Sequence, residues 1–295
     1  MGGPLIPGDG LARLLTGGDG ATGNGGGQAV VVADVRWYLD GRSGQAAYQA
    51  GHVPGAVFVP VDGVLAGPAK AGSGGGPGRH PLPDPTVFAA AMAGLGIGDD
   101  TFVVAYDDAG GSVAARLWWM LRATGHRAAV LDGGIAAWPG ELETGARPAA
   151  AEAVTFTARP WPRAQVVDAG GVATFGGVLL DARADERYRG EVEPIDPHAG
   201  HIPGALSAPW TEQLDPTTGR FLAPGALRAR FASLGVQDGT EVVAYCGSGI
   251  TACHALLALE VAGAGARARL YEGSWSDWCA QPSRPMATGA SPGRR

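Results

Sequence analysis

Cysteine is scarce, at 3 of 295 residues. Cys246, Cys253 and Cys279 are too few and too scattered for a disulfide framework, and they suit a reducing compartment. Long apolar runs are missing as well: no window holds the twenty or so apolar residues that a membrane helix needs. The opening Met1-Gly2-Gly3-Pro4-Leu5-Ile6-Pro7 has neither the basic start nor the apolar core of a secretory leader. A soluble, cytoplasmic protein is the expectation. Excess positive charge is lacking too, with 22 Lys and Arg against 28 Asp and Glu. No basic run or aromatic-basic interleaving suggests a nucleic-acid surface. No His/Cys spacing resembles a ligand set, so neither a metal nor another cofactor is expected.

Glycine is the residue in excess, at 50. The tracts 17–27 and 71–78 lack apolar periodicity and read as flexible surface loops with no function assigned. Residues 282–295, rich in Pro, Gly and Ser, read as a frayed tail. The length suffices for two ordinary domains, each with its own core.

An internal repeat organises the chain. The first half contains Val30–Asp34 and Arg36, then Gly51-His52-Val53-Pro54-Gly55-Ala56, then Val103–Asp107, then Leu131-Asp132-Gly133 and Trp138. The second half answers in the same order. It has Val178–Asp181 and Arg183, Gly200-His201-Ile202-Pro203-Gly204-Ala205, Val242–Cys246, then Tyr271-Glu272-Gly273 and Trp278. The period is too long for a solenoid, so this is a duplicated domain. Residues 1–145 form one copy, 146–163 a linker and 164–295 the second copy. Within each, short apolar strands alternate with helical patterns over 85–94, 112–124, 224–234 and 251–262. That alternation predicts an α/β fold in both copies, each a central, mostly parallel sheet with helices on both faces.

In such sheets the reactive crevice lies beyond the carboxyl ends of the strands. Val242–Tyr245 is a buried-strand pattern, and Cys246 ends it. Gly247 and Gly249 then allow a tight loop whose amides open a helix at Thr251. Unpaired amides and the positive helix end both favour a thiolate. The first copy has Asp107 at the same place and offers no sulfur nucleophile. Cys253 and Cys279 read as small buried hydrophobes. Gly247-x-Gly249-x-x-Ala252, with Glu272 downstream, also fits a dinucleotide fingerprint, but too little chain follows it for a two-winged sheet.

The Asp-x-Arg strand ends, the Gly-His-x-Pro-Gly-Ala turns, the loop Cys246-Gly247-Ser248-Gly249-Ile250-Thr251-Ala252 and the Asp/Glu-Gly-x-x-x-x-Trp segments together resemble tandem rhodanese-domain sulfurtransferases. The resemblance covers nearly the whole chain. It implies an inactive N-terminal domain and a C-terminal domain whose Cys246 forms a persulfide by covalent transfer. The loop is similar to the 3-mercaptopyruvate version, because the thiosulfate version places basic residues directly after the cysteine. Amides of Gly247, Ser248, Gly249, Ile250, Thr251 and Ala252 are expected to stabilise the anionic sulfur. Arg187 matches a substrate-binding arginine of the family. Ser248 and Thr251 are candidates to contact substrate or relay a proton, or else to cap the helix. A second arginine common in mercaptopyruvate enzymes is replaced by Ile195-Asp196.

The expected partners are a small sulfur donor and a cyanide, thiol or protein-thiol acceptor, without nucleic acid or membrane. Thiosulfate:cyanide transfer is the alternative reaction, and a non-catalytic persulfide carrier a further alternative. A phosphatase of related fold needs an arginine where Ala252 stands, and is excluded. His52, His201, Asp34, Arg36, Asp181 and Arg183 recur in both copies and read as scaffold.

Overall fold

Runs rich in valine become short strands, because β-branched side chains suit a pleated, packed surface. The computed structural model describes residues 3–17, 29–69, 78–146 and 154–293. Apart from Gly17 and Gly78, the two glycine tracts lie outside these residues.

The first unit draws on Met1–Leu65, Pro83–Trp161 and Thr218–Arg220. Its elements are β1 (Leu5–Ile6), α1 (Gly8–Gly17), β2 (Val30–Asp34), α2 (Gly44–Ala50), β3 (Val57–Phe58), α3 (Pro85–Gly94), β4 (Phe102–Tyr106), α4 (Ala114–Ala123) and β5 (Arg127–Leu131). The sheet runs in the order β1-β5-β4-β2-β3, and its pairings are parallel. Central strand β4 is buried at four successive residues, Val103 to Tyr106. Successive side chains point to opposite faces, so both faces of the sheet are covered.

The second unit draws on Ala66–Leu82, Pro162–Thr217 and Phe221–Arg295. Its elements are β6 (Val166–Val167), α5 (Ala169–Ala173), β7 (Val178–Asp181), α6 (Asp185–Tyr188), β8 (Ala205–Ser207), α7 (Pro224–Ser233), β9 (Val242–Tyr245), α8 (Thr251–Val261), β10 (Ala268–Tyr271) and α9 (Ser274–Trp278). The order β6-β10-β9-β7-β8, again parallel, repeats that of the first unit. All four residues of β9 are buried.

The repeated motifs build the same scaffold twice. Arg36 forks onto Asp34 and reaches Gly51 O at 2.7 Å; Arg183 forks onto Asp181 and reaches Gly200 O at 2.6 Å. His52 stacks on Tyr48 at 3.9 Å and His201 on Tyr188 at 3.8 Å. In both copies a buried ion pair thus ties a strand end to the Gly-His turn. Such pairs tolerate burial because their geometry is bidentate and Nη2 of each arginine also reaches a backbone carbonyl.

The boundaries read from sequence order differ from this division in two places. Residues 154–161, expected as linker, pack in the first unit, where Phe156 meets Phe88 edge-on and Thr157 N donates to Asp99 at 2.8 Å. Ala66–Leu82 belongs to the second unit, since Arg79 N donates to Ser276 Oγ (3.1 Å) and Leu82 N to Glu272 Oε2 (2.7 Å). The frayed tail from 282 is a further correction. His201 and Ala287 exchange two backbone hydrogen bonds of 2.8 and 2.9 Å, and Gly289 N donates to Arg189 O at 2.8 Å. Paired backbone groups hold the segment where composition suggests disorder. Among the described residues no helix is long and apolar enough to cross a membrane.

Candidate active site

Cys246 directly follows β9, at its carboxyl end, and is 2% exposed. Its loop is strapped to the start of α9. Cys246 N donates to Ser274 Oγ at 3.1 Å, Trp275 N donates to Cys246 O at 2.9 Å, and Ser276 N donates to Gly247 O at 3.0 Å. Ser274 adopts a φ of +52°, which costs a non-glycine residue about 1–3 kcal/mol. The position holds because its hydroxyl also donates to Tyr271 O at 2.9 Å.

The sulfur accepts a hydrogen bond from Gly249 N at 3.1 Å, and an amide aimed at it favours negative charge there. Glycine is required at this point. Its φ is +86°, and a methyl group would stand 2.4 Å from Glu272 O. Ile250 and Ala252 are buried, and Thr251 is the first residue of α8. The N-cap of α8 is Ile250, which makes no side-chain cap hydrogen bond, so neither Ser248 nor Thr251 occupies the N-cap position. Ser248 Oγ instead meets His80 Nδ1 at 2.7 Å.

Arg187 stands on α6 and gives Nη2 to Glu193 Oε1 (2.6 Å) and Asp196 Oδ2 (3.3 Å), and Nε to Glu193 Oε2 (3.3 Å). Arg79 gives Nη1 to the other oxygen of Asp196. Both guanidinium groups face the loop: a methyl group on Gly247 would lie 3.0 Å from Arg79 Nη2 and 3.4 Å from Arg187 Nη1. The loop itself is uncharged, and tertiary structure brings two cations to it: Arg187, a candidate from its match to the family, and Arg79, which was not a candidate. Burial raises the Asp196 carboxyl above its ordinary value, opposed by the charges of Arg79 and Arg187.

Arg79 and His80 escaped the sequence reading because they adjoin a glycine tract without periodicity. The one available signal was a guanidinium and an imidazole side by side in an otherwise uncharged stretch.

The other two cysteines are fully buried. Burial, with the Asp196 charge adding to it, pushes the Cys279 thiol up to about 11. Cys253 Sγ donates to Gly249 O at 3.4 Å. In the first unit, Asp107 fills its own loop. Its two oxygens accept from the amides of Ala109, Gly111, Val113 and Ala114 at 2.8–2.9 Å. Burial raises this carboxyl, and those four amides oppose the shift. No group of His, Cys, Asp and Glu among the described residues has the makings of a metal site.

The rhodanese-like domain model matches residues 24–141 and 164–281. The chain is 45% identical over 274 residues to a probable 3-mercaptopyruvate sulfurtransferase of Pseudomonas aeruginosa, covering 88% of this chain and 93% of that protein. It is 42% identical over 276 residues to a putative thiosulfate sulfurtransferase, SseB, of Mycobacterium tuberculosis, covering 90% and 93%. The crystal structure of SseA from Escherichia coli, described as a 3-mercaptopyruvate sulfotransferase of rhodanese fold, aligns with a TM-score of 0.76 at 31% identity, over 93% of this chain and 100% of that one. Two copies of one α/β unit, carrying a loop cysteine in the second, place this chain in the family of rhodanese-like domain proteins.

Proposed function

We infer that this chain is a sulfurtransferase, moving a sulfane sulfur from 3-mercaptopyruvate to a thiophilic acceptor through a persulfide on Cys246. The observation that carries the reading is the Gly249 amide on Cys246 Sγ at 3.1 Å, at the carboxyl end of the central strand β9. The named relatives support the reaction class.

In the first step the Cys246 thiolate attacks the donor sulfur. The new S–S bond forms as the donor C–S bond breaks, and the electron pair leaves on carbon as the enolate of pyruvate. Ser248, hydrogen-bonded with His80, supplies the proton that turns enolate into pyruvate. Arg187 holds the donor carboxylate as a charge-assisted partner. In the second step cyanide, a small thiol or a protein thiol attacks the outer sulfur, and Cys246 leaves as the thiolate. No net oxidation or reduction by an outside agent is needed.

The test is intact-protein mass spectrometry after exposure to donor alone, with steady-state transfer from mercaptopyruvate and thiosulfate measured in parallel. Wild type, Cys253→Ala and Cys279→Ala take up one sulfur atom, and Cys246→Ser takes up none. Sulfur on Cys253 or Cys279 would overturn the mechanism. A higher kcat/KM with thiosulfate would overturn the donor assignment.

A further inference from the structure

We propose that Arg79 is a specificity-determining residue of the donor site, its Nη2 and the Nη1 of Arg187 forming a two-guanidinium seat for the carboxylate of the sulfur donor. The identity of that donor rests on the sulfurtransferase reading; the seat itself rests on geometry.

The assignment follows from where each nitrogen goes. Arg187 ties Nε and Nη2 to Glu193 and Asp196, and Arg79 ties Nη1 to Asp196. Arg79 Nη2 and Arg187 Nη1 make none of these bonds, and they are the guanidinium atoms nearest the Gly247 position, at 3.0 and 3.4 Å from where a methyl group would stand. Two cations this close repel unless a counterion joins them. Asp196 is that counterion: its side chain is 4% exposed, and it gives one oxygen to each arginine. The acid thus sets the spacing of the pair and leaves their loop-facing N–H groups for a second carboxylate.

Arg79 is also held in place by its own backbone and neighbours. Its N–H donates to Ser276 Oγ at 3.1 Å, His80 Nδ1 meets Ser248 Oγ at 2.7 Å, and Leu82 N donates to Glu272 Oε2 at 2.7 Å. These contacts fix residues 79–82 to the Cys246 loop at Ser248, to the strap at Ser276 and to Glu272 just before it. The glycine at 247 is the opening through which a small anion next to Cys246 reaches both guanidinium groups. Any side chain there would fill it.

The experiment compares Arg79→Gln and Arg79→Lys with wild type in two measurements. In steady-state transfer from mercaptopyruvate, loss of one charge-assisted hydrogen bond raises KM roughly tenfold to a hundredfold in Arg79→Gln, with kcat nearly unchanged. In the second measurement Cys246 is alkylated with iodoacetate, which carries a carboxylate, and with neutral iodoacetamide. Arg79→Gln lowers the iodoacetate-to-iodoacetamide rate ratio about tenfold by the same loss. Arg79→Lys, which keeps the charge but not the fork that spans Asp196 and the loop from separate nitrogens, falls between and serves if the glutamine variant does not fold. Arg228→Gln, an equal charge loss at an exposed pair, leaves the ratio as in wild type.

Equal slowing of both reagents, or an unchanged ratio with an unchanged KM, would overturn the seat. A falling ratio in a protein that does not turn over mercaptopyruvate would uphold the seat and sink the functional reading instead.

Discussion

Asp107 and Cys246 hold the same station in two copies of one sheet, yet the loop amides around them serve different ends. Each follows the strand at the centre of its sheet, β4 or β9. The Asp107 carboxylate satisfies four amides at 2.8–2.9 Å, closing its loop with an internal anion. Cys246 Sγ engages the Gly249 amide at 3.1 Å. A nest of amides is an anion site in either case; the first copy fills it with its own side chain.

Asp107 is therefore a stability residue. Asp107→Ala leaves the buried amides of Gly111, Val113 and Ala114 and the half-buried amide of Ala109 without their acceptor; the three buried ones alone cost at least about 3 kcal/mol, at about 1–3 kcal/mol for each unsatisfied group. Chemical denaturation of the first unit's transition measures this. Sulfur loading of Cys246 in the protein that remains folded stays at one atom. A variant as stable as wild type would show that the four amides find water instead.

Gly249→Ala strikes the loop that carries the sulfur. The φ of +86° and the methyl contact of 2.4 Å with Glu272 O both oppose alanine. Strain of about 1–3 kcal/mol is expected in urea denaturation. Because the same residue supplies the amide to Sγ, kcat/KM falls as well. An alanine variant with wild-type stability and turnover would mean that the loop has another conformation of equal energy.

In the proposed reaction His80 and Ser248, 2.7 Å apart, act as a pair on proton delivery. Ser248→Ala and His80→Gln each lower kcat for mercaptopyruvate by about a hundredfold or more, the usual worth of a positioned proton donor. The double variant loses little beyond either single one, as expected for two members of one hydrogen-bonded unit. Additive losses in the double-mutant cycle would separate the two residues and refute the pairing.

The first unit has a pH dependence of defined sign. The hydroxyl and then the amide of Thr157, followed by His126, lower the Asp99 carboxyl to about 2. A depressed folded value means that this contribution is complete above the ordinary carboxylate value of 3.8 and is lost as pH falls towards about 2. Melting temperature followed from about pH 5 to about pH 2 should fall more steeply in wild type than in Asp99→Asn. Parallel acid limbs in the two proteins would contradict the assignment.

Local sequence was enough for the elements and for the place of Cys246 at a strand end. Pro85 and Asp84 announce the start of α3, because proline suits the first helical turn and aspartate accepts its orphan amide; the structure has Asp84 accepting from Thr86 N. The run Val242–Tyr245 and the glycines after it place Cys246 at a strand end, since strand period, turn chemistry and helix propensity all act within a few residues. The duplication was legible for the same reason: like sequences fold into like units, and each motif recurs with its partner a short distance away, as in Asp34 with Arg36.

What surrounds the sulfur was decided by contacts with no local signature. His80 is 168 residues from Ser248, and Arg79 is 117 from Asp196. Periodicity reports which face of an element is buried, but it carries no record of which distant segment covers that face. Nor could composition show that the tail pairs through Ala287, because proline and glycine exclude helices without excluding backbone hydrogen bonds. The chain order of residues thus determined two α/β units and one cysteine at the end of a central strand. Only the fold brought a second guanidinium to the loop, by joining residues 66–82 to a unit built from the other half of the chain.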